Sequence, residues 1–173
     1  MAQNSNGWPH WPAVHAAVQN LGTPLYLYFP EYLWQAYNQI SAGLRMWGQG
    51  EIAYSLKTNP FLSLVEDLKN WGAWVEVVSL WEYQLALRAG FNPTQVIFNG
   101  PLQPRETLKD LADSRLFTIN IDSIEELATL MEVAPQEGVP VRVGLRICPD
   151  KQNGNSSRFG LEVYPGSFKK LYA

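Results

Sequence analysis

A single lysine, Lys57, closes the apolar run Ile52-Ala53-Tyr54-Ser55-Leu56 and stands just ahead of Thr58-Asn59-Pro60. Alternation along that run puts Ile52, Tyr54 and Leu56 on one face and Ala53, Ser55 and Lys57 on the other. The lysine side carries small neighbours, which leaves room for a second molecule. An amine at the mouth of a strand, turned inward and stripped of water, is a nucleophile toward carbonyl compounds. Schiff-base chemistry is the use this setting suggests; the plainer reading is a solvated lysine at a strand end. Two later runs carry charge on a matching phase. Glu76 alternates with Val77 and shares a face with Val78, so its carboxylate can turn inward and hold an ammonium. Arg146 shares a face with Arg142, Gly144 and Cys148, opposite Val143, Leu145 and Ile147. Inward arginines each need an anionic or polar partner. Arg142, near the start of its run, is expected to be structural.

These residues need a frame that brings several strand ends together. From residue 52 a unit recurs with a period of roughly 22 residues: short apolar strand, turn, amphipathic helix. The strands are predicted at Ile52–Leu56, Trp74–Val78, Val96–Phe98, Phe117–Ile121 and Val141–Ile147. Asn59-Pro60 predicts an N-cap and first helical position for a helix carrying Phe61, Leu64, Val65 and Leu68. Ser79-x-x-Glu82 and Ser123-x-x-Glu126 predict capping boxes for two later helices. Short βα connections imply a parallel sheet. The leading architecture is an α/β fold of the (β/α) TIM-type barrel kind, with a doubly wound sheet as the alternative. Upstream, residues 1–12 read as an extended leader, Val14–Leu21 as a helix stopped by Gly22, Pro24–Tyr28 as a short strand, and Glu31–Trp47 as a helix. The division expected is 1–21 as leader and short helix, and 22–173 as barrel.

A barrel takes eight strands and about 250 residues, whereas about five βα units begin here. The chain is therefore expected to be the N-terminal portion of an incomplete barrel, with no C-terminal β-domain, a helix starting near Ser167–Ala173, and an uncovered apolar face. A net charge of −3 and no run of Lys or Arg argue against nucleic acid and anionic membranes as partners. One cysteine, Cys148, excludes an internal disulfide framework and fits a reducing, cytoplasmic compartment. No stretch reaches the roughly 18 apolar residues of a membrane span. His10 and His15 match no metal spacing, so no metal is expected.

Tyr54-Ser55-Leu56-Lys57-Thr58-Asn59-Pro60 resembles the Tyr-Ala-Val/Leu-Lys-Ala/Cys-Asn signature of fold-type III pyridoxal-phosphate decarboxylases acting on diaminopimelate, ornithine and arginine, with alanine racemase more distant. The resemblance continues in family order. Gly22-Thr23-Pro24-Leu25-Tyr26-Leu27-Tyr28 is similar to the opening segment of diaminopimelate decarboxylases, and Glu76-Val77-Val78-Ser79 with Glu82 to Asp-Val-Val-Ser-x-x-Glu. Ile119-Asn120-Ile121-Asp122-Ser123, Leu145-Arg146-Ile147-Cys148-Pro149 and Ser157-Arg158-Phe159-Gly160 are similar to Ile-Asn-Val-Asp-Ser, Leu-Arg-Val-Asn-Pro and Ser-Lys-Phe-Gly. The resemblance implies an alanine racemase-like barrel with pyridoxal 5'-phosphate bonded to Lys57. It also implies Glu76 near the lysine, Arg146 near the cofactor ring and Arg158 at a basic position by the cofactor. Glu82 is a lesser candidate beside its capping role. An amino-acid decarboxylase for basic or diamino acids, homodimeric at full length, is the function implied; a racemase is the enzymatic alternative. Departures at Trp81 and Asn99-Gly100-Pro101-Leu102 motivate a third reading, a non-catalytic barrel serving as an interaction module.

Overall fold

A computed structural model describes residues 11–135, 138, 140–148 and 159–162. The chain divides into two compact units, Met1–Asn38 and Gln39–Ala173. In the first, helix α1 spans Trp11–Leu21, longer than the predicted helix. It takes in Pro12, whose missing N–H would be unbonded in a first turn anyway. Gly22 ends it at φ +79, donating its N–H to the Val18 carbonyl at 2.9 Å, a left-handed stop open to glycine. Pro24–Tyr28 departs from expectation. It is an extended connection outside any sheet, with Tyr26 fully exposed, because a strand exists only where a neighbour takes up its N–H and C=O groups. Helix α2 (Pro30–Trp47) begins in this unit and ends in the second.

The second unit is built on a parallel sheet of strands β1 (Ala53–Ser55), β2 (Trp74–Val77), β3 (Val96–Phe98), β4 (Thr118–Ile121) and β5 (Val143–Leu145), in that spatial order. Between them run α3 (Leu62–Asn70), α4 (Leu80–Arg88), α5 (Arg105–Asp113) and α6 (Ile124–Val133). Ala53 lies opposite Trp74, Val75 opposite Val96, Ile97 opposite Thr118, and Ile119 opposite Val143. The constant offset keeps one face apolar throughout: Val75, Val77, Val96, Phe98 and Ile121 are fully buried and Ile119 nearly so. Leu64, Val65 and Leu68 of α3, Tyr83 and Ala86 of α4, Leu108 and Leu111 of α5, and Leu130 of α6 are buried with them. Each such aliphatic or aromatic side chain contributes roughly 1.5–3 kcal/mol through burial. The opposite face presents Ser55, Glu76, Asn99, Asn120 and Gly144, none of them fully exposed. A doubly wound sheet reverses its strand order and covers both faces with helices. Here the order never reverses, which is the winding of a (β/α) barrel.

Three local details correct the expectations. Helix α3 begins at Leu62, because the Asn59 side chain accepts the Phe61 N–H at 3.1 Å and makes a turn across Pro60; Phe61 stays about half exposed outside the buried stripe. Strand β1 ends at Ser55, and Leu56–Thr58 forms a 3-10 turn, so Lys57 sits just beyond the strand. The predicted strand Val141–Ile147 breaks at Arg146. That residue donates its N–H to Ile121 O at 2.9 Å and accepts from Leu161 N–H at 2.7 Å. The chain thus changes partners there: β6 (Ile147–Cys148) pairs in parallel with β7 (Leu161–Glu162) as a separate ribbon. The side chains of Val143, Leu145 and Ile147 remain more than one-third exposed, the uncovered apolar patch that was expected. The helix predicted near Ser167–Ala173 lies outside the described residues.

Candidate active site

The C-terminal ends of the strands, where this fold gathers functional side chains, are shaped by a few fixed points. Lys57 stands on the 3-10 turn after β1, with its side chain exposed. Leu56, fully buried beside it, anchors the turn. The Tyr54 hydroxyl closes it by donating to the Asn59 carbonyl at 3.2 Å. Partial burial raises the Tyr54 pKa above its usual value. Two residues before the lysine, Ser55 Oγ is buried without a hydrogen-bond partner.

Glu76 lies opposite Ser55 in the ladder. Its Oε1 accepts from Asn99 Nδ2 at 2.6 Å, and Asn99 Oδ1 accepts from Asn120 Nδ2 at 3.3 Å. The carboxylate therefore belongs to an amide network rather than to an ion pair with Lys57. Asn120 in turn occupies the space above Gly144, where an added Cβ would stand 2.2 Å from Asn120 Oδ1. Farther along, Arg146 Nε lies 3.7 Å from Asp122 Oδ1, and its guanidinium sits over the Phe159 ring at 4.9 Å. Asp122 Oδ2 is buried and unbonded. Arg142, toward the other end of the sheet, lies over Phe117 at 4.5 Å and donates to the Phe117 carbonyl at 3.4 Å. Phe117 also meets Trp74 edge-on at 4.5 Å, so Arg142 is engaged with packing residues at the end of the sheet away from Lys57, beside a cavity that Phe117 and Arg142 help to line.

The loops above the sheet are tied by two buried glutamates. Ser79 and Ser123 cap their helices by accepting from Glu82 N–H and Glu126 N–H at 3.2 and 3.1 Å. Each glutamate reaches back one residue further than a capping box requires. Glu82 accepts from Val78 N–H at 2.8 Å, while Glu126 accepts from Asp122 N–H at 3.1 Å and from Gln103 N–H at 3.2 Å. Glu126 thereby joins the loop after β3 to the loop after β4. The first of these loops has little freedom: a Cβ on Gly100 would meet the Val78 carbonyl oxygen at 2.1 Å, and Leu102 is held at φ +55 with its side chain 83% exposed. Trp81, at the start of α4, is also largely exposed.

Of the residues singled out in the sequence, Lys57 and Glu76 lie toward the C-terminal ends of the adjacent strands β1 and β2, Arg146 follows β5 at the other edge of the sheet, and Arg158 lies outside the described residues. Asn99, Asn120 and Asp122 were not singled out as site residues. Their shared phase with Glu76 on a period of two was the signal that would have found them.

Comparison with known proteins places this arrangement. The family model for the pyridoxal-dependent decarboxylase, pyridoxal binding domain, matches residues 34–164. The chain is 34% identical over 144 residues to the L-glutamyl-[BtrI acyl-carrier protein] decarboxylase of Niallia circulans, covering 83% of this chain and 33% of that protein. It is 32% identical over 165 residues to the diaminopimelate decarboxylase of Aquifex aeolicus, covering 90% and 39%. The crystal structure of diaminopimelate decarboxylase from M. jannaschii with L-lysine superposes with a TM-score of 0.78 at 26% identity, over 92% of this chain and 40% of that one. The corresponding structure from Helicobacter pylori, also with L-lysine, gives 0.71 at 27% identity, over 78% and 34%. The chain thus spans about a third to two-fifths of the length of these relatives. The match across most of its length, on a barrel sheet with the signature lysine at its mouth, means that the chain belongs to the pyridoxal-binding domain family of the pyridoxal-dependent decarboxylases.

Proposed function

We propose that the full-length protein is a pyridoxal-phosphate-dependent decarboxylase of a basic or diamino α-amino acid, with Lys57 bonded to the cofactor through Nζ. One observation carries the reading. Among the described lysines, Lys69 lies in the last turn of α3 and Lys109 within α5, and only Lys57 stands at the C-terminal edge of the sheet. The site fits the family's cofactor: an amine, a carboxylate, amides and a guanidinium share one end of the sheet. Two buried atoms, Ser55 Oγ and Asp122 Oδ2, lack a hydrogen-bond partner among the described residues, and in this reading polar groups of the bound cofactor engage them. Lys57, Glu76, Arg146 and Arg158 are assigned to hold it.

When bound, the cofactor supplies an electron sink for the charge left at Cα as carbon dioxide departs. The chain supplies the rest. Lys57 Nζ offers the lone pair, while the Tyr54–Asn59 clasp fixes its backbone so that only the side chain travels. Glu76, held through Oε1 by Asn99, keeps Oε2 available to accept an N–H from Lys57. Arg146, backed by Asp122 and Phe159, turns its remaining donors toward anionic groups. The relatives named above are decarboxylases, which favours loss of carbon dioxide over racemisation; the diaminopimelate decarboxylases among them, two of whose structures hold L-lysine, support a diamino acid, whereas the Niallia circulans relative acts on a glutamyl group. A reducing, cytoplasmic setting is part of the proposal and is supported by the single, buried, free Cys148; among the described residues no helix is long and apolar enough to cross a membrane. A homodimer at full length is likewise proposed, supported by the family resemblance alone.

The test is borohydride reduction of the protein with pyridoxal phosphate, followed by peptide mass mapping and a Lys57→Ala control. A pyridoxyl label confined to Lys57 and lost in the control is the expected result, together with carbon dioxide release from diaminopimelate, lysine, ornithine or arginine. Label spread over Lys69 and Lys109 as well would sink the assignment of Lys57.

A further inference from the structure

The hydrogen bonds that cross the sheet from Glu76 have a fixed polarity. A carboxylate only accepts, so the 2.6 Å contact must come from Asn99 Nδ2. That turns Asn99 Oδ1 the other way, where it accepts from Asn120 Nδ2 at 3.3 Å. Asn120 Oδ1 is then directed to the far end, above the bare backbone of Gly144. One ionised group thus sets the flip of both amides, and it leaves acceptors, Glu76 Oε2 and Asn120 Oδ1, at the two ends of the line. If the three side chains were only filling space, branched apolar residues would do so at less cost, as they do in most barrel interiors. A second observation points to something bound here: Ser55 Oγ, opposite Glu76 and on the strand that leads to Lys57, is buried with no partner.

We propose that Asn99 and Asn120 are positioning residues. They engage one oxygen of Glu76 and so aim the other at the amine of Lys57. Neither amide touches the reacting atoms; both act through the carboxylate. The assignment rests on the reading of Lys57 as the cofactor lysine.

The test compares the full-length wild type with Asn99→Asp and with the exchanged pair Glu76→Gln/Asn99→Asp. Pyridoxal phosphate is the probe, with the melting temperature of the cofactor-free protein and the rate of borohydride-trapped label on Lys57 as readouts. Asn99→Asp sets two carboxylates against each other, so both readouts fall. The exchanged pair only swaps donor and acceptor, and it restores the melting temperature. Labelling of Lys57 remains at least about tenfold slow, because the charge has moved one strand away and one charge-assisted bond is missing. Recovery of labelling together with the melting temperature would reduce the amides to packing and overturn the proposal, as would undiminished labelling in Asn99→Asp. An exchanged pair that fails to regain the melting temperature would mean that the line of bonds does not run as described. Absence of selective label in the wild type is a separate outcome: it removes the reading of Lys57, and the proposal with it.

Discussion

Replacing Glu126 by alanine should destabilise the protein by about 3 kcal/mol, several times the effect of the same change at its exposed neighbour Glu125. Glu126 is only 6% exposed, and its carboxylate takes two backbone N–H groups from two different loops. Hydrogen bonds to a charged group contribute about 1.5–3 kcal/mol each, and the two donors left behind, which are partly buried, regain only some of that from water. Taking the lower figure twice gives about 3 kcal/mol, a sizeable share of the 5–15 kcal/mol that holds an ordinary domain together. Glu126→Gln should fall between, at about 2 kcal/mol, since it keeps one acceptor and sets an NH2 against the other donor. The assay is equilibrium urea unfolding followed by tryptophan fluorescence. With a slope of roughly 1–3 kcal/mol per molar, the midpoint for Glu126→Ala drops by about 1–3 M. A loss below about 0.5 kcal/mol, the range of ordinary surface changes, would show that the cross-loop tie contributes nothing and refute the reasoning. The tie bears on function as well, since the loop it restrains begins at Asn99.

Three further substitutions probe the same end of the sheet. Gly144→Ala should cost about 1–3 kcal/mol in urea unfolding, because its methyl meets Asn120 Oδ1 at 2.2 Å; a loss below about 0.5 kcal/mol would show that Asn120 moves aside freely. Leu102→Gly should raise stability by up to about 1 kcal/mol, since it relieves a left-handed leucine that buries almost nothing; a fall in melting temperature would show that the leucine makes contacts of value. Tyr54→Phe should weaken the protein at pH 7 by about 1 kcal/mol through loss of the bond to Asn59. The folded-state pKa of Tyr54 is raised, so its contribution is complete below the usual tyrosine range and is lost as pH rises through the folded value. The gap between wild type and Tyr54→Phe should therefore narrow in alkaline melting curves; a gap that widens with pH would contradict the direction of the shift.

How much of this was legible in the sequence depended on the range over which each interaction acts. The caps at Ser79 and Ser123 are three-residue devices, and they formed where the pattern put them. The apolar alternation of β2, β3 and β4 was equally plain, because a period of two assigns each side chain to a face regardless of partners. The errors came where a partner decides. Pro24–Tyr28 has strand-like residues but no neighbouring ladder, and the break at Arg146 depends on Leu161, distant in sequence. Asn59 read as a helix cap, but its side chain satisfied Phe61 first and delayed the helix. Asn99 entered as a departure from a family pattern, which hid its phase; only the bond to Glu76 shows that the departure is itself part of a network.

The break at Arg146 has a mechanical consequence. The residue's amide is pinned to one ribbon and its carbonyl to another, so its α-carbon is a fulcrum between two pieces of backbone that share no other ladder bond among the described residues. Should the Leu161–Glu162 ribbon tilt, the guanidinium would swing about a nitrogen anchored on Ile121 instead of sliding away from Asp122. Such a tilt would turn a positive charge at the mouth of the sheet, carrying with it the Phe159 ring over which the guanidinium sits.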